Sequence, residues 1–195
     1  MRYEKGRKDA SRRRIVEVAA ERFRHDGIAA TGLAGIMSEA GLTNGAFYPH
    51  FQSKAELVRE TVTAALEAQS SQLRDILAAG GLENALTAYL SAEHRDNPAT
   101  GCASAALLPE LARQPPETRR LYAERLLTML RQVSAALPPQ TRDPEGVMLG
   151  VFATLIGALQ LARAVDGTDL SDRILAAGAD AARALIRPRP DEGAS

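Results

Sequence analysis

The strongest structural signal in the sequence is in residues 31–58, TGLAGIMSEAGLTNGAFYPHFQSKAELV. Ala40-Gly41-Leu42 separates two short segments of helical pattern, and a glycine there supplies the positive φ that a tight turn between helices needs. Pro49 lacks an N–H group, so the second segment must end or kink near it. Ser53 and Glu56 then form a capping box, which marks the start of a new helix. The stretch predicts a helix-turn-helix followed by a longer helix.

Helical patterns continue on both sides of this stretch, and no alternating strand pattern interrupts them. Glycine and proline mark the breaks, and Thr31 is the expected cap of the second helix. The sequence predicts helices at residues 10–25, 32–40, 43–50, 53–79, 83–94, 103–113, 116–137, 145–165 and 171–186. We therefore predict an all-α fold of about nine helices, with a three-helix head and a larger C-terminal helical bundle.

The pattern changes near Ser53, where short helices give way to longer ones. We predict an N-terminal domain at residues 1–52 and a C-terminal domain at residues 53–190. Residues 191–195 are expected to form a frayed tail.

The composition is that of an ordinary globular protein, with 45% hydrophobic and 25% charged residues among 195. This excludes a disordered or collagen-like chain. The single cysteine, Cys102, cannot form a disulfide within the chain, which favours a reducing compartment and predicts a cytoplasmic protein.

No membrane segment or signal peptide is predicted. The basic N-terminus is not followed by the apolar core of a signal peptide. The longest apolar run, Val147–Leu159, is shorter than the roughly 20 residues that span a bilayer. We interpret this run as a helix buried in protein.

A formal net charge of zero hides an asymmetry along the chain. Residues 1–14 carry seven basic and two acidic side chains, a net charge of +5. A basic segment on a mildly acidic body indicates a polyanionic partner for the head alone. The alternative is a solvated tail, and whether Arg12, Arg13 or Arg14 touches a DNA backbone stays open.

The predicted helix at residues 43–50 presents two different faces. Phe47 and Phe51 lie four residues apart and are expected to pack in a small core with Ala19, Phe23, Ile36, Ala40 and Leu42. Asn44 and Tyr48 share another face. Asparagine can pair with adenine through two hydrogen bonds in the major groove, and small neighbours allow a close approach to base edges.

Polar side chains flank this face where the backbone of a duplex would pass. Tyr48 and His50 can reach phosphate oxygens, although packing or capping is the alternative for both. Lys54 lies in the first turn of the next helix, where its charge opposes the helix dipole. A cation at that position indicates an external anion, and the N–H groups of the same helix start could hold a phosphate.

Residues 31–58 resemble the TetR family of bacterial transcription regulators. The resemblance covers about 50 residues from Ile15 onward, and it is carried by Thr31, Ile36, Ala40-Gly41-Leu42, Gly45, Phe47-Tyr48, His50-Phe51, Ser53-Lys54 and Leu57. It implies that the first three helices bind operator DNA, that the rest binds a small ligand, and that two helices form a dimer face.

The resemblance also implies roles for individual residues. The segment from Thr43 to His50 would enter the major groove. Bases would be faced by Asn44, Gly45 and Ala46, and phosphates by Thr31, Tyr48, His50 and Lys54. Ala34 stands where the family sometimes has a base-reading arginine. Gly32 and Gly35 each lower the helix propensity of the second helix by roughly 1 kcal/mol, so we expect that helix to be soft.

The last two helices are rich in small residues, which permit close helix approach: Gly150, Ala153, Gly157, Ala158, Ala177, Gly178 and Ala181. Their apolar face includes Leu149, Phe152, Ile156 and Leu159. We predict that these helices complete a four-helix bundle across a two-fold axis and so form a homodimer. The alternative is that they form an intramolecular core.

The candidates for a ligand pocket are side chains of the middle helices: Tyr89, His94, Cys102, Met129, Phe152 and Gln160. Ordinary core packing is the alternative for each. Only 4% of the residues are aromatic, which favours a small or aliphatic effector. Cys102 at a helix start is either a sensor of oxidants or electrophiles, or a small packing residue.

The sequence therefore predicts a ligand-responsive DNA-binding transcriptional regulator. A repressor that a small molecule releases from a palindromic operator is favoured. The alternative is a helical protein–protein adaptor that does not bind DNA. We find no nucleophile with a base, no clustered carboxylates and no metal-ligand spacing, so no enzyme activity, cofactor or metal is expected.

Overall fold

The computed structural model describes residues 2–165 and 169–187. These residues form eight α-helices and a 3-10 helix, η1, and no strand: α1 (Arg2–Asp26), α2 (Leu33–Glu39), η1 (Asn44–Ala46), α3 (Lys54–Tyr89), α4 (Ala92–Asp96), α5 (Ala103–Leu111), α6 (Pro116–Ser134), α7 (Pro144–Ala164) and α8 (Asp169–Ile186). The predicted all-α fold is confirmed.

Four predicted helix boundaries follow local rules and are confirmed. Helix α1 ends before Gly27, which has a φ of 87°, and Gly41 has a φ of 73° in the turn after α2. Within α3, Gly80 and Gly81 leave helical geometry, so this element is two helices on either side of a kink. Ser53 caps α3, because its Oγ accepts from the Glu56 N–H at 3.2 Å.

Two other boundaries differ from the prediction. Helix α1 begins at Arg2 rather than near Ala10, so the basic segment is helical. The predicted helix at residues 83–94 is interrupted, because Ser91 leaves helical geometry and its Oγ accepts from the His94 N–H at 3.1 Å to cap α4.

The chain packs into two compact units, one formed by residues 2–69 with 98–125 and the other by residues 70–97 with 126–165 and 169–187. These units are defined by how the chain packs and not by function. The functional boundary at residues 52 and 53 stays a prediction, and the predicted tail at residues 191–195 lies outside the described residues.

The core of the first unit is built on three phenylalanines, Phe23, Phe47 and Phe51, each at most 1% exposed. Ala19 and Ile36 are buried with them, and Ala40 and Leu42 pack against the same core, as predicted. Leu107 and Leu111 of α5 also belong to this cluster. Helix α5 therefore shares one hydrophobic core with the predicted head.

In the second unit, α7 and α8 pack in close contact. A Cβ at Gly178 would lie 2.3 Å from the Cβ of Ala158, which is closer than two carbon atoms can approach. Phe152 and Leu159, predicted for a dimer face, are buried within the unit. For these four residues the intramolecular alternative is correct.

Two arginines fix α4 within the second unit. Arg163 of α7 donates to the backbone carbonyls of His94 at 2.7 Å and Arg95 at 3.0 Å. Arg95 donates to the Ser171 Oγ at 2.9 Å and to the Asp172 carboxylate at 2.6 Å. These bonds satisfy the end of α4 and join it to α7 and α8.

Helix α7 is long and apolar enough to cross a membrane by length and composition alone, with a mean hydropathy of 1.7. Seven of its side chains are nevertheless buried in the second unit: Met148, Val151, Phe152, Leu155, Ala158, Leu159 and Ala162. This burial agrees with the interpretation of the apolar run as a helix packed in protein.

Candidate nucleic-acid interface

The segment from Thr43 to His50 is a chain of turns rather than the predicted helix. Only Asn44–Ala46 is helical, as the 3-10 helix η1, and the Phe47 N–H donates to the Asn44 carbonyl at 3.2 Å. The predicted helix was wrong because Gly45 disfavours helix and Pro49 has no N–H to donate back to the Gly45 carbonyl. The segment is held by the backbone hydrogen bonds of these turns and by side-chain packing.

Phe47 and Phe51 anchor this segment from below. Their rings are stacked with centroids 5.5 Å apart, and both are fully buried. The rings of Tyr48 and Phe47 pack edge to face with centroids 5.4 Å apart. Tyr48 projects outward, with 69% of its surface exposed. The predicted inward and outward faces are confirmed.

The positions predicted to face bases lie at the surface. Thr43, Asn44 and Gly45 are exposed and Ala46 is half-buried. No side chain of η1 is buried. Contact of these residues with DNA stays a prediction.

His50 lies half-buried at the edge of the segment. Burial lowers the pKa of its imidazole, and the neighbouring charges of Lys8 and Arg12 act in the same direction. The ring Nδ1 is buried without a hydrogen-bond partner. A neutral imidazole at pH 7 is therefore expected, so His50 would offer a phosphate a hydrogen bond rather than a charge.

Lys54, the first residue of α3, is half-buried, and its Nζ donates to the Ile28 carbonyl. An ammonium group has three donors, so this bond leaves two for another acceptor. The predicted phosphate contact of Lys54 remains compatible with its position and untested.

Thr31 does not lie where the sequence predicted. Its side chain is buried, and its Oγ1 donates to the Gly27 carbonyl at 2.7 Å. The N-cap of α2 is Gly32, with no side-chain cap. Both predictions for Thr31, as a cap and as a phosphate contact, were wrong because the hydroxyl is used to close the turn between α1 and α2.

Of the three neighbouring arginines at positions 12–14, one makes its hydrogen bonds within the molecule. Arg12 donates to the Glu60 carboxylate and to the His50 carbonyl. Arg13 and Arg14 are exposed, and Arg14 lies 3.8 Å from the Glu17 carboxylate. The candidates for a DNA-backbone contact are therefore Arg13 and Arg14.

Gly35 in α2 has a packing role that the sequence did not reveal. A Cβ there would lie 2.5 Å from Nη1 of Arg22. The Arg22 guanidinium lies across this glycine, 3.6 Å from Glu39 and 3.5 Å from Asp26. The glycine lowers the helix propensity of α2 but makes room for a link between α1 and α2.

The predicted pocket residues of the second unit fall into separate groups. Tyr89 and His94 meet at 4.7 Å between ring centroids, and Phe152 lies 6.4 Å from Tyr89. Met129 lines a small cleft of about 20 Å³, partly open to solvent, with Ser70, Leu73, Arg74, Leu77, Gln132 and Val133. Gln160 is exposed on α7, and its assignment to a pocket stays a prediction.

Cys102 belongs to the first compact unit and is buried. It is the N-cap of α5, where its Sγ accepts from the Ala105 N–H at 3.5 Å, and the Gln69 Nε2 donates to the same sulfur at 3.2 Å. This is a packing and capping role. The sensor hypothesis stays untested.

The head has recognisable relatives. Residues 15–61 match the family model described as bacterial regulatory proteins, tetR family. The chain is 49% identical over 49 residues to the HTH-type transcriptional regulator TtgR of Pseudomonas putida. The aligned residues make up 25% of this chain and 23% of TtgR. It is 35% identical over 72 residues to the HTH-type transcriptional repressor KstR2 of Mycobacterium tuberculosis. These aligned residues make up 37% of this chain and 36% of KstR2.

The fold is shared over nearly the whole chain. A transcriptional regulator of the TetR family from Cytophaga hutchinsonii superposes with a TM-score of 0.72 at 21% identity, covering 94% of this chain and 98% of that one. The sequence matches themselves span less than two fifths of the curated relatives. Residues 15–61 therefore carry the sequence signature of the TetR family, and the chain as a whole shares its fold with solved regulators of that family.

Proposed function

We propose that this protein is a ligand-responsive, DNA-binding transcriptional repressor that a small molecule releases from a palindromic operator. The observation that carries the proposal is the exposed ridge of Thr43, Asn44, Gly45 and Tyr48, seated on the buried rings of Phe47 and Phe51. An exposed polar ridge with a small residue at its centre suits the major groove.

Some residues of the ridge and its flanks would contact bases, and others would contact phosphates. Asn44 would pair with one adenine, while Gly45 and Ala46 allow the backbone to come close to the base edges. Tyr48, His50 and Lys54 would bind phosphate oxygens on either side. Such phosphate contacts position the protein without reading sequence.

Dimerisation would supply the second ridge. Leu149, Ala153, Gly157 and Leu161 recur every four residues along α7, and all are exposed. Ala177, Ala181 and Leu185 form a similar exposed stripe on α8. Pairing of these stripes about a two-fold axis would bury apolar surface and place two heads on half-sites about 34 Å apart.

The effector would bind the second unit. Tyr89, His94 and Phe152 form an aromatic cluster there, and the small cleft beside Met129 combines apolar side chains with the polar Ser70, Arg74 and Gln132. A small effector suits these surroundings. A hundredfold release from the operator requires the effector to favour the released state by about 2.7 kcal/mol.

TtgR and KstR2 are named as transcriptional regulators, which agrees with a regulatory rather than a catalytic role. A regulator of bacterial promoters works in the cytoplasm, where we place this protein.

DNA binding is tested by selecting duplexes from a random-sequence pool and measuring their affinity by gel shift. Asn44→Ala should relax the preference at one base pair, at a cost of about 1–3 kcal/mol for the preferred base. Tyr48→Ala should weaken binding to all duplexes. Arg119→Ala, which removes an exposed cation on α6, is the control and should change little.

The outcome separates the regulator from the adaptor alternative. A regulator binds the selected duplex with an affinity that falls steeply as salt rises. A protein that selects no duplex and shows no salt-dependent DNA binding would be the adaptor.

The dimer is tested by light scattering across a range of protein concentrations. Leu161→Glu puts a charge on a side chain that is 61% exposed in the single chain, and it should yield monomers if the stripe is an interface. Ala123→Glu, at an exposed position of α6, is the control. A dimer unaffected by Leu161→Glu would contradict the proposed interface.

A further inference from the structure

A carboxylate from α5 holds the turn between α1 and α2. The Ile28 N–H donates to Glu110 Oε2 at 2.9 Å, and the Ala29 N–H donates to Oε1 at 2.7 Å. Glu110 lies 82 residues beyond Ile28 in the sequence. Two successive amides that converge on one carboxylate make a short, charge-assisted anchor.

Gly27 makes this anchor possible. Its φ of 87° turns the chain so that the next two N–H groups point toward the carboxylate. A Cβ at this position would lie 3.0 Å from Glu110 Oε2. The glycine is therefore required both by its backbone conformation and by the approach of Glu110.

The same turn is tied to the predicted DNA-binding segment from its other side. Lys54 donates to the Ile28 carbonyl, and Thr31 donates to the Gly27 carbonyl. Lys54 is the first residue of α3, which begins four residues after the end of the predicted DNA-binding segment, Thr43 to His50, here called the recognition segment. The turn thus stands between α5 and the ridge, with hydrogen bonds to both sides.

Helix α5 is itself firmly seated beside this turn. Leu107 and Leu111, which flank Glu110, are 2% and 3% exposed and pack in the core that contains Phe23 and Phe51. Arg24, near the end of α1, donates to the Ala99 carbonyl just before α5. The core contacts of Leu107 and Leu111 therefore hold the backbone of Glu110 in place beside the turn.

We propose that Glu110 is a positioning residue for DNA binding. By holding the amides of Ile28 and Ala29, it sets the orientation of α2 and of the ridge that follows it. Helix α5 then acts as part of the DNA-binding unit, and its displacement would reach the ridge through this carboxylate. The inference rests on the proposed DNA-binding function.

The test compares Glu110→Gln and Glu110→Ala with a matched control, Glu117→Gln. Glutamine keeps one acceptor oxygen for the two amides, and alanine keeps none. Glu117 is a carboxylate of the neighbouring helix α6 that contacts Arg59 of α3 at an exposed site. Thermal unfolding of each full-length variant establishes that it is folded.

Two measurements are made on the folded variants. Amide hydrogen exchange of Ile28 and Ala29 should become at least tenfold faster in Glu110→Ala, less so in Glu110→Gln, and unchanged in Glu117→Gln. Affinity for the duplex selected by the wild-type protein should fall about tenfold in Glu110→Ala. Affinity for a random-sequence duplex should hold within twofold, because the phosphate-binding charges remain.

Each contrary outcome overturns a defined part of the inference. Unchanged exchange at Ile28 and Ala29 would overturn the anchor. Faster exchange with unchanged affinity, or an equal loss for both duplexes, would overturn the positioning role. A wild-type protein that selects no duplex would overturn the proposed function and the positioning role together, while the exchange rates would still decide whether the anchor exists.

Discussion

The guanidinium of Arg12 lies over the ring of Phe51, with its central carbon 4.3 Å from the ring centroid. The same group donates to the Glu60 carboxylate and to the His50 carbonyl. A residue that composition suggested as a candidate DNA contact therefore ties α1 to the start of α3 and to the end of the recognition segment.

Arg12→Ala should lower the free energy of unfolding by about 1–2 kcal/mol, because it removes a cation–π contact and part-buried hydrogen bonds together. Arg13→Ala, at an exposed neighbouring position, should change it by less than about 0.5 kcal/mol. Urea denaturation followed by circular dichroism measures both. Equal stability of the two variants would show that the Arg12 contacts contribute nothing measurable.

Thr31 and Tyr48 should respond in opposite ways to loss of a hydroxyl group. Thr31→Val removes the buried donor to the Gly27 carbonyl and should cost about 1 kcal/mol of stability, with little effect on DNA affinity. Tyr48→Phe removes an exposed hydroxyl and should weaken DNA binding without changing stability. Paired unfolding and gel-shift measurements test this, and weaker DNA binding by a fully stable Thr31→Val would restore the phosphate contact.

Gly178 and Gly150 offer a matched pair in the packed helices of the second unit. Gly178→Ala should destabilise the protein by about 1–3 kcal/mol, because its Cβ would overlap that of Ala158. Gly150→Ala meets only an ordinary contact, 3.7 Å from Leu185, and should gain up to about 1 kcal/mol from helix propensity. Thermal unfolding at one fixed protein concentration compares them, and a stabilised Gly178→Ala would contradict the close packing of α7 on α8.

His94 should make the protein less stable as the pH falls. Burial lowers the pKa of its imidazole, and nearby Arg163 adds to this, although a hydrogen bond to the Tyr89 carbonyl acts in the opposite direction. Below the ordinary histidine pKa of about 6.5, the unfolded chain takes up a proton that the folded state resists. Stability is therefore full above that pH and is lost as the pH falls through the lowered folded-state value.

The measurement is urea denaturation at pH 7, 6 and 5. The free energy of unfolding should fall with pH in the wild-type protein and fall less in His94→Gln. His50, whose pKa is also lowered, contributes in the same direction and is present in both proteins. Parallel curves for the two proteins would show that His94 does not contribute.

The features that could be predicted from the sequence are those that a few neighbouring residues determine. Gly41 and Gly81 adopt positive φ, and Ser53 caps the helix that it precedes. The outward position of Tyr48 followed from the spacing of Phe47 and Phe51, which had to face the core. Each of these signals acts within one or two turns of chain.

The features that the sequence did not predict depend on partners that only the folded structure brings together. The Thr31 hydroxyl had a choice between phosphate, the N-terminus of α2 and the Gly27 carbonyl, and only the folded turn decides among them. Nothing in the sequence marks Glu110 among the other glutamates, because the amides it binds lie 82 and 81 residues away. Arg12 was ambiguous for the same reason.

The recognition segment is secured from beneath by Phe47 and Phe51, and η1 contributes no buried side chain to the core. The chemistry displayed to a duplex is thus decoupled from the interactions that keep the domain folded. Positions 43, 44 and 45 could be randomised together without repacking the head. With the proposed DNA binding, this would make the protein a scaffold for evolving regulators with new sequence preferences.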